Sequence, residues 1–254
     1  MDLNRQNIFQ ATAAKKNVIW DEGLRSYMLK VYNYMASGVL LTGVLAALFF
    51  QLSGGYNIQV TSLGITGLNS FGYAIFASPL RWVVMLAPLA IVFYMSFGIN
   101  KMSSAKAQIV FWIFSALMGI SLSSILLVYT GESIARVFFI TSATFGAMSI
   151  YGYTTKRDLT KLGSFLFMGL IGIIIASLVN YFLQSPKMYF VISILGVLIF
   201  VGLTAYDTQK IKNMYSPSDS AQIIGKKAVM GALTLYLDFI NLFIMLLRLF
   251  GQRR

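Results

Sequence analysis

Apolar residues in this chain gather in long unbroken runs, not in the alternation of a half-buried strand or the three-and-four spacing of a surface helix. The runs cover about 31–52, 80–99, 107–129, 134–153, 162–183, 188–206 and 228–250. Each is as long, or nearly as long, as the roughly 20 residues a helix needs to cross a hydrocarbon core about 30 Å thick. The pattern therefore predicts seven spanning helices. Residues 1–30 read as a cytoplasmic N-terminal segment, 31–250 as the membrane domain and 251–254 as a short C-terminal tail. The first run is too long, and begins too far along, for a cleaved signal peptide. The long connection 53–79 carries no charge and is rich in Gly, Ser, Asn and Thr. It is expected to be a loop whose scattered apolar residues lie against the bilayer or cap the bundle.

Composition makes the membrane reading firm. The chain is 57% hydrophobic and 11% charged, with a mean hydropathy of +0.74, whereas soluble domains are about 25% charged. The fold class is an all-α integral membrane protein whose environment is the lipid bilayer. There is no cysteine and no histidine, which removes disulfides, thiolate nucleophiles, the usual zinc sites and the usual proton switch near neutrality. A metal site here must use oxygen ligands, which favours hard cations such as Ca²⁺.

The net charge of +12 does not point to nucleic acid, because the basic residues sit between spans and form no basic patch interleaved with aromatics. They read as topology signals beside anionic headgroups. With the N-terminus in the cytosol, the inner segments hold Arg5, Lys15, Lys16, Arg25, Lys30, Lys101, Lys106, Lys156, Arg157, Lys161, Lys210, Lys212, Lys226 and Lys227. The outer side holds only Arg81, Arg136, Lys187, Arg248, Arg253 and Arg254. The last three run against the bias. Either the final run spans and its tail is translocated, or it dips in and returns the tail to the cytosol; its length favours the full span and an outer C-terminus.

Small residues Ser115, Gly119 and Ser123 recur every fourth position in the third run, a ridge suited to close helix packing in lipid. Of eight acids, Asp2, Asp21, Glu22, Glu132, Asp158 and Asp219 fall in tails or connections. Asp207 ends the sixth run and Asp238 lies inside the seventh. A carboxylate at that depth costs about 2.5–3.5 kcal/mol on insertion scales, so it should face the bundle and have a partner. Asp238 is either functional or a structural acid tied to Asn241, Tyr236, backbone groups or Arg248. Asp207 is either its partner or an ordinary residue at the inner rim, one turn from Lys210. Both are expected in the inner half of the membrane, staggered by roughly 10 Å, so contact requires one helix to extend further than its apolar run. If they meet, two carboxyls in a low dielectric cannot both ionise and share one proton. Loss of that proton leaves a site for a divalent cation, or drives the helices apart.

No Gly-rich phosphate loop, Ser/His pair or HExxH is present, and no enzyme is expected. The "AYD" at 205–207 imitates half of an intramembrane aspartyl protease. The bulky Leu235, Tyr236 and Leu237 before Asp238 do not suit the other half, where a substrate backbone must approach.

The strings "GLTAYDTQKIK" at 202–212 and "LYLDFINLFIMLLRLFG" at 235–251 resemble the signature segments of the transmembrane Bax inhibitor motif family in its bacterial form. With the seven-run layout, the resemblance spans about residues 20–251. It implies a central seventh helix wrapped by the other six, an inner-membrane location and a pH-sensitive Ca²⁺ leak. Ca²⁺ is then the transported ion and no cofactor is implied. In that family an aspartate pair is the sensor, corresponding to Asp207 and Asp238, which would also contact the cation. A basic residue ending the second helix can pair with the first aspartate; Lys101 in "FGINKMSSAK" is the nearest match. Tyr206 and Asn241 flank the pair as supporting candidates. Some relatives carry an acid within the second helix, but "MLAPLAIVFYMSF" has none. Other bacterial relatives modulate a membrane-bound quality-control protease, which leaves a non-transporting regulator as the alternative, with the first 30 residues as its handle.

Overall fold

Hydrocarbon offers no hydrogen bonds, so a crossing segment must satisfy its own backbone, and all seven apolar runs do so as helices. The computed structural model describes residues 3–61 and 64–254, with side-chain surroundings for 22–58 and 66–254. Its helices are α1 (Leu3–Leu52), α2 (Ser70–Phe76), α3 (Leu80–Gly98), α4 (Ser104–Leu122), α5 (Ile125–Val128), α6 (Gly131–Thr154), α7 (Thr160–Leu183), α8 (Pro186–Asn213) and α9 (Ala221–Phe250). Those able to cross a membrane are α1 from Glu22, α3, α4 continued by α5, α6, α7, α8 and α9.

Two boundaries differ from the hydrophobic runs, for one reason: a charge interrupts apolarity without interrupting a helix. α1 starts at Leu3, so the expected separate N-terminal segment continues the first span, and Leu24, Tyr27 and Met28 are already buried. α9 starts at Ala221, two turns before the apolar run, with the Ser220 hydroxyl accepting the Ile223 amide at 3.4 Å. Lys227 inside that extension donates to Asp219 at 2.6 Å and to the Met214 carbonyl at 2.8 Å.

α9 is the axis. Of its apolar window 72% is buried, against 11% for α3 and 17% for α7. It packs on α1, α4, α6 and α8, while α3 leans mainly on α4, and α7 on α8. The expected wrapping by six helices is thus four helices in contact and two in a second layer. Lipid supplies no hydrophobic drive between helices, so close approach matters. Gly119 on the small-residue ridge of α4 meets the Thr42 carbonyl and Leu45 of α1, and Gly152 of α6 meets the Ala205 backbone of α8. Hydroxyls tie the same elements together. Thr42 Oγ1 donates to the Ser115 carbonyl at 2.8 Å and lies 2.7 Å from Tyr236 Oη. Ser149 Oγ stands 2.6 Å from Tyr32 Oη and 3.0 Å from Thr208 Oγ1.

The connection 53–79 folds into a short antiparallel ribbon, β1 (Gln59–Thr61) with β2 (Gly64–Thr66), followed by α2. Gly67, at φ 80°, takes the left-handed turn that leaves the ribbon. Ile58 and Phe50 bury against Leu127, so the connection caps one end of the bundle. Residues after α9 lie at this same end: the Gln252 carbonyl accepts the Thr130 amide at 2.9 Å, and the Arg254 amide donates to the Val128 carbonyl at 3.0 Å. The last helix is therefore one unbroken rod from the α8–α9 turn to the end that carries the ribbon.

Candidate functional site

α8 and α9 are antiparallel neighbours, and their register decides whether the two acids meet. Lys227 reaches the Met214 carbonyl, Gly231 faces Ile211 and Gly196 faces Met245. That register sets Asp207 level with Leu235, leaving Asp238 three residues, about 4–5 Å, away along the axis. Helical side chains lean toward their own N-terminus, and in antiparallel helices those leans oppose. Asp207 points toward the level of Asp238, and Asp238 points back. The two carboxyls end up within side-chain hydrogen-bonding reach.

Both are buried, with Asp207 8% and Asp238 5% exposed. A carboxylate only accepts, so the contact is a hydrogen bond only while one of the two is protonated. Asp238 Oδ2 has no hydrogen-bond partner among the described residues, which a buried acid ordinarily avoids. The local ties expected of a structural acid do not form. Tyr236 turns to Thr42, and Asn241 Nδ2 donates to the Leu237 carbonyl at 2.8 Å. Asn241 lines the cavity beside the pair without bonding to it.

The length of α9 places Asp238 between two charges of its own helix. Asp238 is eleven residues from Lys227 and ten from Arg248, so it stands about midway, roughly 15 Å from each. Among the described residues Lys101 is not brought to the pair. It ends the turn Ile99–Lys101 beyond α3, is exposed, and forms no ion pair among the described residues. The cation that shares the acids' cavity on their own side of it is Lys210, one turn from Asp207 along the same helix. The Lys210 ammonium sits 5.8 Å from the centre of the Tyr206 ring, and Gly163 of α7 leaves room for that ring. Tyr206 thus forms part of the wall next to the acids.

A cavity of about 1120 Å³ opens beside the pair, bounded by α3, α7, α8 and α9, with Lys210 toward one end and Arg248 toward the other. Leu89, Phe93, Phe167 and Ile174 line its rim and are themselves more than half exposed on the bundle's outer surface. Among the described residues no three acids, histidines or cysteines cluster. Two carboxylates fall short of the six to eight oxygens that hold Ca²⁺ firmly, so the arrangement suits a passing cation better than a resident one. The hydroxyl link from Thr42 to Tyr236 lay outside the sequence reading. Its only sequence signal is a single Thr in an apolar stretch of the first run.

Away from the pair, Asp158 starts α7, accepting the Thr160 amide at 2.9 Å and the Thr160 hydroxyl at 2.6 Å. These bonds hold its carboxyl below the usual range, in keeping with a local turn-forming role.

Residues 24–254, which include both acid-bearing segments, match the family described as "Inhibitor of apoptosis-promoting Bax1". An uncharacterized protein of Rickettsia prowazekii (strain Madrid E) is 49% identical over 243 residues, covering 96% of each chain. The inner membrane protein YbhL of Escherichia coli (strain K12) is 46% identical over 235 residues, covering 91% of this chain and 94% of the relative. An uncharacterized membrane protein of Streptococcus pyogenes serotype M6 is 38% identical over 232 residues, covering 91% and 95%. A likeness that runs through all the crossings and takes in both acids leaves one assignment: the chain is a member of the Bax1-inhibitor family of membrane proteins.

Proposed function

We propose that the chain is a pH-sensitive Ca²⁺ leak pathway of the inner membrane, with a cytosolic N-terminus and gating by the Asp207–Asp238 pair. The observation that carries this reading is a pair of buried carboxyls in mutual reach, opening on a cavity, with Asp238 Oδ2 unpartnered. The inner-membrane location rests on the printed name of the Escherichia coli relative, and the cytosolic N-terminus on the excess of Lys and Arg at the end that carries the α8–α9 turn.

Protons and Ca²⁺ compete for the same oxygens. While one proton is shared, the carboxyls bind each other. When it leaves, two negative charges face each other in a low dielectric and either take up the cation or separate. Raising the pH from 6 to 8 removes the competing proton and strengthens Ca²⁺ occupancy, as for any metal whose ligands must be deprotonated. Lys210 offers the positive charge that keeps the ionised pair tolerable between ions. Peptide hydrolysis fits less well, since Leu235 and Tyr236 beside Asp238 are fully buried and give a substrate backbone no approach.

The test is Ca²⁺ entry into liposomes at pH 6 and pH 8. Wild-type flux should differ between the two, and Asp207→Asn and Asp238→Asn should each flatten the difference. Wild-type pH curves from both variants would reject the sensor.

A further inference from the structure

The three arginines that oppose the charge bias remain unexplained by a proton-linked cation site. Two of them, Arg248 and Arg253, line a second cavity of about 480 Å³ at the α7–α8 turn, together with Asn180, Gln184, Ser185 and Tyr189. Tyrosines flank both: the Arg248 guanidinium lies 5.1 Å from the centre of the Tyr189 ring, and Arg253 pairs with Tyr129 in an isolated antiparallel bridge. Burial raises the Tyr129 phenol above its ordinary value, with Tyr189 adding to the shift, so Tyr129 supplies no counter-charge. Among the described residues neither arginine has an ion pair, and Glu132, in the first turn of α6 at this end, is already bound to Arg136 at 3.0 Å. Two permanent charges thus share a pocket with no anion.

The pocket adjoins the groove beside the acids: Ser177 and Arg248 line both. Below Arg248 the groove is walled by Leu170, Ile173, Ile174 and Met245 and opens between α3 and α7. From Arg248 to Asp238 is ten residues, about 15 Å, which is one leaflet of a roughly 30 Å hydrocarbon core. A cationic mouth at the headgroup level above an apolar slot one leaflet deep matches a single molecule with an anionic head and an acyl tail.

We propose that Arg248 and Arg253 bind the phosphate of an anionic phospholipid, whose acyl chain lies in the groove between α3 and α7 and ends against the Asp207–Asp238 pair. Planar guanidinium forks suit phosphate oxygens, and two of them side by side can grip one phosphate. The slot beside the acids is then filled by hydrocarbon until the lipid leaves.

Binding is read from thermal unfolding of the purified full chain in a neutral detergent titrated with long-chain phosphatidylglycerol, long-chain phosphatidylcholine, dihexanoyl phosphatidylglycerol or inorganic phosphate. Long-chain phosphatidylglycerol should stabilise at the lowest concentration. Arg248→Gln with Arg253→Gln should raise that concentration about tenfold or more, as loss of charge-assisted bonds implies, while Arg136→Gln leaves it unchanged. Ser177→Phe should abolish the advantage of the long chain over the dihexanoyl lipid. Should the double variant not fold, a phosphatidylglycerol carrying a mid-chain diazirine replaces it: wild type should be labelled on 163–177 and 89–93, and unlabelled phosphatidylglycerol should compete. Equal titration of wild type and double variant, labelling elsewhere, or inorganic phosphate acting at the same concentration as the lipid would each overturn the proposal.

Discussion

Tyr236 and Asp238 are two positions apart on α9 and face opposite partners, so one turn of the central helix carries two separate polar commitments. Tyr236 is fully buried and reaches Thr42, whose own proton goes to the Ser115 carbonyl; the tyrosine must therefore donate. Thr42→Val removes the acceptor and strands a buried hydroxyl, which should cost about 1–3 kcal/mol. Adding Tyr236→Phe should restore much of that loss, because the stranded group is then gone. Denaturant unfolding in detergent compares the two. At Asp238 the exchange to Asn replaces the shared proton with a permanent donor, so Asp207 stays bonded at every pH. Equilibrium Ca²⁺ binding should accordingly lose its rise between pH 6 and pH 8 while the chain stays folded, a result that radioactive Ca²⁺ retention on a filter would register.

Between elements, what was readable follows from what lipid demands. Seven crossings and the small-residue ridge could be read directly, because length and spacing alone dictate them. The meeting of Asp207 and Asp238 could not, because apolar runs mark where hydrocarbon lies and not where a helix begins. α9 continues through Lys226 and Lys227 to Ala221, and this shifts the register enough for opposed side-chain leans to close the gap. The same limit misplaced the basic neighbour. The family resemblance suggested Lys101, but it lies past the cavity, in the turn whose Asn100 carbonyl accepts Lys226, while Lys210 is one turn of α8 from Asp207. Gly152 tests this packing. A side chain there meets the Ala205 backbone, which cannot swing aside, so Gly152→Leu should push α6 from α8 and cost about 1–3 kcal/mol. Thermal unfolding should show the loss, and Gly146→Leu, where a Cβ has open space, should not.

For the molecule as a whole, the bundle has a dense axis and a loose outer layer. α3 and α7 bury little of themselves and flank the cavity that reaches the acids. If ions or lipid enter by that side, joining the two helices should stop the traffic. The chain has no cysteine, so Phe93→Cys with Phe167→Cys provides two unique thiols on the rim. Bridging them with a flexible bifunctional reagent should reduce Ca²⁺ flux severalfold, and reductive release of a cleavable bridge should restore it. Unchanged flux in the bridged protein would place the route elsewhere.

The central helix is also fastened at both extremities: Lys227 is held by Asp219 and the Met214 carbonyl, and the residues beyond Phe250 by backbone bonds to Val128 and Thr130. A rod clamped top and bottom cannot slide as a piston. Any opening must be radial, with the peripheral helices swinging away from a stationary spindle, and amide exchange should accordingly be slowest along the spindle and fastest in the two helices that swing.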